Sequence, residues 1–290
     1  MASIRDLRNR IKSVGNIRQI TRAMEMVATT KLRRFQERAV ASRPYSQEIT
    51  GLVSRLAALL GDDVAERPLF ANGPGARVAI LLVTSDRGLC GAYNSNLFRL
   101  AEEWSARNPG VEVDWYVYGR KGYSYLTRRG RKIERFFVEP NLEQTDYRAA
   151  ARTSKALVDG FLSGQYSRVL VMYTAFETMV RYVPTQFQLL PIQQVGGAGE
   201  TQKHAGDLIL EPDAATIFDR LVPRYLETRI YNALLESLTS EYASRRVSMK
   251  NATDAAKTMG NGLKKLYNRK RQENITKELL DIVGGVEALK

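Results

Sequence analysis

Apolar positions in the first 60 residues recur at helical spacing. Ile4, Leu7, Ile11 and Val14 step by three and four, and after a three-residue step Ile17, Ile20, Met24 and Val27 do the same. The period predicts one long helix over 3–58, with Ser3 as its cap and a coiled-coil seam carrying a stammer. Pro44 lacks the N–H a helix needs and is expected to kink or divide it. Ile49, Leu52, Val53, Leu56 and Leu60 continue an apolar face; Gly61, Asp62 and Asp63 close it, and Asn72–Gly75 reads as a loop.

The pattern then changes. Arg77–Val83 is a buried-strand run and Asn94–Asn108 an amphipathic helix with Leu97, Leu100 and Trp104 on one face. Val111–Tyr118, Ile133–Val138 and Arg168–Thr174 read as strands, and Lys121–Arg129 and Asp146–Leu162 as helices. Val180–Ile192 reads as a further strand interrupted at Pro184. This alternation predicts a Rossmann-like α/β domain with a mostly parallel sheet over 76–192, followed by a polar connecting loop over 193–212.

From Asp213 the chain reads as helix almost to its end. Leu235, Leu238, Tyr242, Arg245, Met249, Ala252, Ala256, Met259, Leu263 and Leu266 form one row, and Ile275, Leu279, Ile282, Val286 and Leu289 a second row in shifted phase. A polar collar, Asn268–Asn274, separates them. The fold class expected is therefore α/β, with a long antiparallel coiled coil of the terminal helices, 1–60 and 213–290, flanking the α/β domain. A helix over 213–286 spans about 110 Å at 1.5 Å per residue. The N-terminal helix is shorter, so the tip over about 270–290 is expected to project alone, and an unpaired apolar tip needs a socket in another protein. Gly260 and Gly262 inside this helix serve either close helix packing or local compliance.

Charge sharpens this picture. Lys and Arg number 44 against 31 Asp and Glu, a net +13. Residues 1–43 carry net +8 and 245–290 net +6, while 44–244 carries net −1. The basic excess sits at the two ends and suits an acidic protein, a nucleic acid or an anionic membrane. One cysteine, Cys90, and one histidine, His204, leave no intrachain disulfide, no Cys/His zinc site and no histidine triad. No run of about 20 apolar residues spans a bilayer, and the N-terminus has no continuous apolar signal core.

Chemistry-bearing motifs are few. Ser85–Gly91 follows the first strand, where α/β domains bind phosphates, but it fits neither the dinucleotide nor the P-loop pattern. A tight turn needing Gly88 and Gly91 is the favoured reading. Cys90 beside Arg87 lacks a histidine base. Asp62, Asp63 and Glu66, and likewise Glu102 and Glu103, read as solvated carboxylates. Arg269, Lys270, Arg271 and Gln272 are either a solvated face or a set of donors for carboxylates on surrounding subunits. Met24 and Val27 read as seam residues; Lys31, Arg33 and Arg34 are solvated or face an acidic partner.

Three stretches carry a resemblance: IRDLRNRIKSVGNIRQITRAMEMVATTKLRR at the start, TSDRGLCGAYNSNL at 84–97, and SRRVSMKNATDAAKTMGNGLKKLYNRKRQENITKELLDIVGGVEAL at the end. In order and over essentially the whole chain they resemble the gamma-subunit family of F-type ATP synthases, most of all bacterial members. The resemblance implies a central rotor stalk, one copy per complex. Its coiled coil would stand inside a ring of alternating alpha and beta subunits, and its α/β domain would sit with the epsilon subunit on the c-subunit ring. Ion flow would turn ring and stalk, and the stalk would drive the beta subunits through their nucleotide states.

By the same resemblance, Arg271 and Gln272 match the family's catch, Met24 a coupling position with Lys31 following it, and Arg246, Gln272, Thr276 and Glu278 C-terminal coupling positions. Val283, Val286 and Leu289 match the tip in its apolar bearing. It implies no catalytic residue, no cofactor and no metal, membrane contact through the complex alone, and a place at the cytoplasmic face of a bacterial inner membrane. A lone cysteine without an insertion argues against chloroplast-type thiol control. Two other readings remain to be separated: a nucleic-acid-binding coiled coil, marked by strongly salt-dependent binding, and a nucleotide-dependent enzyme built on Ser85–Gly91, marked by stoichiometric ATP binding.

Overall fold

A computed structural model describes residues 3–193 and 211–287. The first element, α1, is a single helix over Ile4–Leu60. Ser3 and Asp6 cap it reciprocally: Ser3 Oγ accepts from Asp6 N and Asp6 Oδ2 from Ser3 N, each at 3.1 Å. The Ser3 hydrogen bonds hold the Asp6 carboxyl below the usual carboxylate range. Pro44 neither divides nor ends the helix. The carbonyl it deprives of a partner belongs to Val40, which is exposed, so water can satisfy it. Beyond the proline, buried Ile49, Val53 and Leu56 hold the helix in place.

The α/β region runs β1 (Arg77–Val83), α2 (Tyr93–Arg107), β2 (Val113–Tyr118), α3 (Arg120–Arg128), β3 (Ile133–Phe137), α4 (Tyr147–Leu162), β4 (Tyr166–Phe176) and β5 (Tyr182–Leu190). The sheet order is β3-β2-β1-β4-β5. β1 pairs parallel with β2 and β4, β2 parallel with β3, and β5 antiparallel with β4. β5 runs unbroken through Pro184, which pairs with Thr174; as an edge strand it tolerates a residue that donates no ladder bond. One core gathers Val78, Ile80, Leu82, Trp104, Trp115, Val117, Leu126 and Met172. Asp146 caps α4 by accepting from Ala149 N at 2.8 Å.

The last helix, α5, spans Ala214–Glu287 and passes through Pro223 without interruption. Asp213 caps it, accepting from Thr216 N at 2.8 Å. Leu289 and residues 194–210 of the connecting loop lie outside the described residues, and the Val286 side chain is not described.

The chain divides into two compact units, one of residues 30–244 and one of residues 1–29 with 245–290. In the second unit the two helical segments run antiparallel: Thr253 Oγ1 donates to Thr21 Oγ1 at 2.8 Å, and Gly260 stands beside Val14. Seven residues along α1 thus match seven back along α5. Continuing that register puts Ile4, ten residues before Val14, opposite position 270.

The seam differs from the expected one. Leu7 and Ala28 are buried and Ile11, Val14, Thr21 and Met24 half-buried, whereas Ile17, Ile20 and Val27 are 52–59% exposed. The heptad runs on through the hydrogen-bonded Thr21, with no stammer. On α5 the expected row is buried at Met249 and Ala256 but emerges at Met259 and Leu266.

Candidate functional site

The loop after β1 lies where a doubly wound sheet would hold a ligand, outside the carboxyl ends of β1 and β4, where the strand order reverses. Ser85 is buried in it, whereas Arg87 is exposed. Ser85 N donates to Asn94 Oδ1 at 3.1 Å, Asn94 Nδ2 to Ser85 Oγ at 2.7 Å, and Ser85 Oγ to the Arg87 carbonyl at 2.8 Å. Asp86 Oδ1 accepts from Arg120 N at 3.1 Å. Cys90 is buried, with Asn94 Nδ2 at 3.3 Å from its sulfur.

Helix α5 closes the same crevice with serines at positions 237, 240 and 244. Ser237 Oγ accepts from Thr174 N at 3.2 Å, Ser240 Oγ donates to the Thr174 carbonyl at 3.2 Å, and Ser244 Oγ donates to the Cys90 carbonyl at 2.6 Å. All three serines are buried. A helix thus occupies the place of a phosphate ligand; the tight turn needs glycine at Gly91, with φ 56°, but not at Gly88, where a Cβ would meet only the Lys121 side chain at 3.9 Å. Burial, and then the charge of buried Glu241, push the Tyr93 phenol far up, so it stays neutral. The serine row was legible as a three-four spacing, but its partners are backbone groups more than 60 residues away.

At the opposite end of the sheet a concavity of about 650 Å³ is lined by Arg77, Trp104, Asp114, Arg131 and Lys132 among others. Its buried carboxylate, Asp114, is held by Arg77 Nη1 at 2.7 Å and Lys132 Nζ at 2.9 Å. Glu102 and Glu103, read as solvated, each carry two arginine partners on the surface. Among the described residues no group of three or more His, Cys, Asp and Glu is placed to hold a metal ion.

Lys31 is engaged within the chain. Its ammonium pairs with Glu143 Oε2 and lies 3.2 Å from Tyr242 Oη, and Tyr242 Oη donates to Glu143 Oε1. Burial opposes ionisation of Glu143, yet the Lys31 and Tyr242 contacts outweigh it and set its carboxyl below the ordinary glutamate value. Glu143 and Tyr242 carried no sign of this in the sequence.

The remaining candidates lie in the unit formed by the chain ends. Met24 and Arg246 are half-buried. Every side chain from Arg271 to Leu280 is exposed, including Arg271, Gln272, Thr276 and Glu278; Ile282 and Val283 are exposed as well. In the collar, Lys270 pairs with Glu273 at 2.7 Å.

Comparison with known proteins agrees with this architecture. Residues 3–289 match the family model described as ATP synthase. The ATP synthase gamma chain of Dehalococcoides mccartyi strain CBDB1 is 40% identical over 290 residues, covering all of both chains. That of Geotalea uraniireducens is 38% identical over 293 residues, again covering both fully. That of Mycobacterium marinum is 39% identical over 306, covering 99% of this chain and 98% of the relative. Among solved structures, a chain of the Euglena gracilis mitochondrial ATP synthase (OSCP/F1/c-ring) superposes with a TM-score of 0.67 at 19% identity, covering 99% of this chain and 94% of that one. A chain from the central stalk/c-ring of the Tetrahymena thermophila mitochondrial ATP synthase gives 0.59 at 23% identity, covering 80% and 99%. At those identities the solved structures establish the fold, and the full-length sequence relatives establish the lineage: this chain belongs to the ATP synthase gamma-chain family.

Proposed function

We propose that this chain is the central rotary shaft of an ATP synthase, coupling ion-driven turning of a c-subunit ring to nucleotide-state changes in a ring of alpha and beta subunits. The observation that carries the reading is the end of α5. From Arg271 to Leu280 no side chain is covered, and Ile275, Leu279, Leu280, Ile282 and Val283 are all exposed. The register of the helix pair leaves α1 no residue to set against them. An apolar helix end in water calls for a socket, and a shaft turning in that socket benefits from contacts without directional bonds. In this reading Val283, Val286 and Leu289 form the bearing tip. Arg271, Gln272, Thr276 and Glu278 meet carboxylates and loops at the socket mouth, and Met24 and Arg246 meet the ring lower down.

Epsilon and the c ring would dock on the α/β region, with one shaft per complex at the cytoplasmic face of the inner membrane. No helix among the described residues is long and apolar enough to cross a membrane, so membrane contact would run through the complex. The chain would break no bond and bind no cofactor itself; its part is to bias the conformations of the subunits around it.

Reconstitution tests this. Alpha and beta subunits are mixed with the full chain or with a chain cut after Asn268, and assembly and ATP turnover are measured. The full chain is expected to support both and the cut chain to weaken them. Failure of the full chain to assemble with its cognate subunits would sink the reading.

A further inference from the structure

We propose that Glu143 is a positioning residue whose carboxylate, shared between Lys31 and Tyr242, clamps α1 to α5 at the end of the 30–244 unit. The three side chains come from three elements: Lys31 from α1, Tyr242 from α5, and Glu143 from the 3-10 turn Leu142–Gln144 between β3 and α4. The contacts close a ring, since each carboxylate oxygen takes one partner and the two partners also meet each other. Such a closed ring holds three elements at once, where an isolated surface pair holds little.

The turn that offers Glu143 is itself anchored. Leu142 and Thr145 are buried beside it, and Asn141 Oδ1 accepts from Gln144 N at 3.1 Å. Below the ring, Phe35 stacks on Tyr242 with centroids 5.4 Å apart, so the phenol is aimed before it bonds. A second rung repeats the arrangement: Arg38 Nη2 donates to the Thr145 carbonyl at 2.8 Å and to Tyr231 Oη at 3.3 Å. Twice, then, a cation of α1 reaches both a tyrosine of α5 and the same short linker. Lys31 is the second residue of this unit and Tyr242 the third from its end, and both helices continue beyond it.

Its chemistry makes it acid-sensitive. The groups that face the Glu143 carboxylate are Lys31 from α1, Tyr242 from α5 and the Arg87 charge from the loop after β1. Together they hold it ionised against burial. A carboxyl lowered on folding stabilises fully above its ordinary value and loses that contribution as pH falls through its folded value. Protonation removes the charge that Lys31 pairs with. Under the function proposed above, on which this consequence alone rests, slippage of α1 along α5 would waste rotation.

The test uses the full chain in the assembled complex, as wild type, K31E, E143K, the swap K31E/E143K, E143Q, and Y242F, which keeps the stacked ring. Hydrogen exchange is followed at the amides of 28–35 and 238–243, and ATP-driven uptake of protons or sodium ions per ATP hydrolysed is measured in inverted vesicles. The single charge reversals are expected to speed exchange about fivefold and to lower uptake per ATP, and the swap to restore both. Y242F is expected to speed exchange by less. After correction for intrinsic rates, wild-type exchange is expected to rise as pH falls below the glutamate range, while E143Q stays flat. A swap no better than its parents, or E143K exchanging like wild type, overturns the clamp. A wild type that drives uptake of neither protons nor sodium ions overturns the rotor reading instead, and the exchange measurement still decides the clamp.

Discussion

Leu89 alone among the described non-glycine residues has a positive φ, 64°, and its side chain is exposed. A β-carbon there meets the carbonyl that follows it, and no buried contact offsets the strain. Leu89→Gly is expected to raise stability by about 1 kcal/mol, read as a higher urea midpoint. Gly119 presents the opposite case: its φ is 90°, and a Cβ would lie 2.1 Å from the Thr84 carbonyl oxygen. Gly119→Ala is expected to abolish folding of the sheet, seen as loss of soluble protein or of its near-ultraviolet dichroism. The sequence marked neither residue's conformation. It also placed Ile17, Ile20 and Val27 in the seam and passed over Thr21, because a tally of apolar residues cannot register a hydroxyl paired with Thr253. The intrachain neighbours of Lys31, Glu143 and Tyr242, went unread because they stand far off in the chain.

Elements were the most legible level. Each strand and helix of 77–190 was expected within a few residues, because buried strands and amphipathic helices differ in period, 2 against 3.6. The misjudgements fell on proline. Pro44 was expected to kink or divide its helix and Pro184 to interrupt its strand, yet neither element is divided: one proline frees a carbonyl on an exposed turn and the other sits in an edge strand, and tertiary placement decides both. Ser3 caps α1 as read, and Asp146, read as the first helical residue, is the cap of α4 instead; Asp146→Ala is expected to destabilise by about 1 kcal/mol, measurable by chemical denaturation. Gly260 and Gly262 now admit a sharper statement. A Cβ at Gly260 would make ordinary contact with Val14 at 3.7 Å, and at Gly262 it would meet nothing, so close packing requires neither glycine. Alanine at either position is expected to raise the melting temperature, by up to about 1 kcal/mol of helix propensity each. If the double variant melts higher but couples rotation poorly, compliance is what the glycines supply.

For the whole molecule, acid acts in two directions. Glu143 is held below the ordinary glutamate value, so its contribution disappears as pH falls through its folded value. Glu236 is pushed up by burial, against hydrogen bonds from Phe176 and Tyr173 and the Arg43 charge. Its contribution is full below the ordinary value and is lost as pH rises through the folded one. Glu236→Gln is therefore expected to raise the urea midpoint at pH 7 and to change it little at pH 4, whereas E143Q lowers it at pH 7. The division at 29/30 and 244/245 was not foreseen from the sequence, which reads each long helix as one object.

That division has a consequence for how the molecule is made. One unit is built from the first 29 residues and the stretch from Arg245 onward, so it has no local version of itself. At roughly 5–20 residues per second, the first helix waits on the order of 15–50 s for its partner to leave the ribosome. During that interval Leu7 and Ala28, buried in the finished protein, are bare on a basic nascent chain. Chaperone capture of ribosome-bound chains, compared with that of chains released after the last helix is complete, would show that dependence as a loss of capture on release.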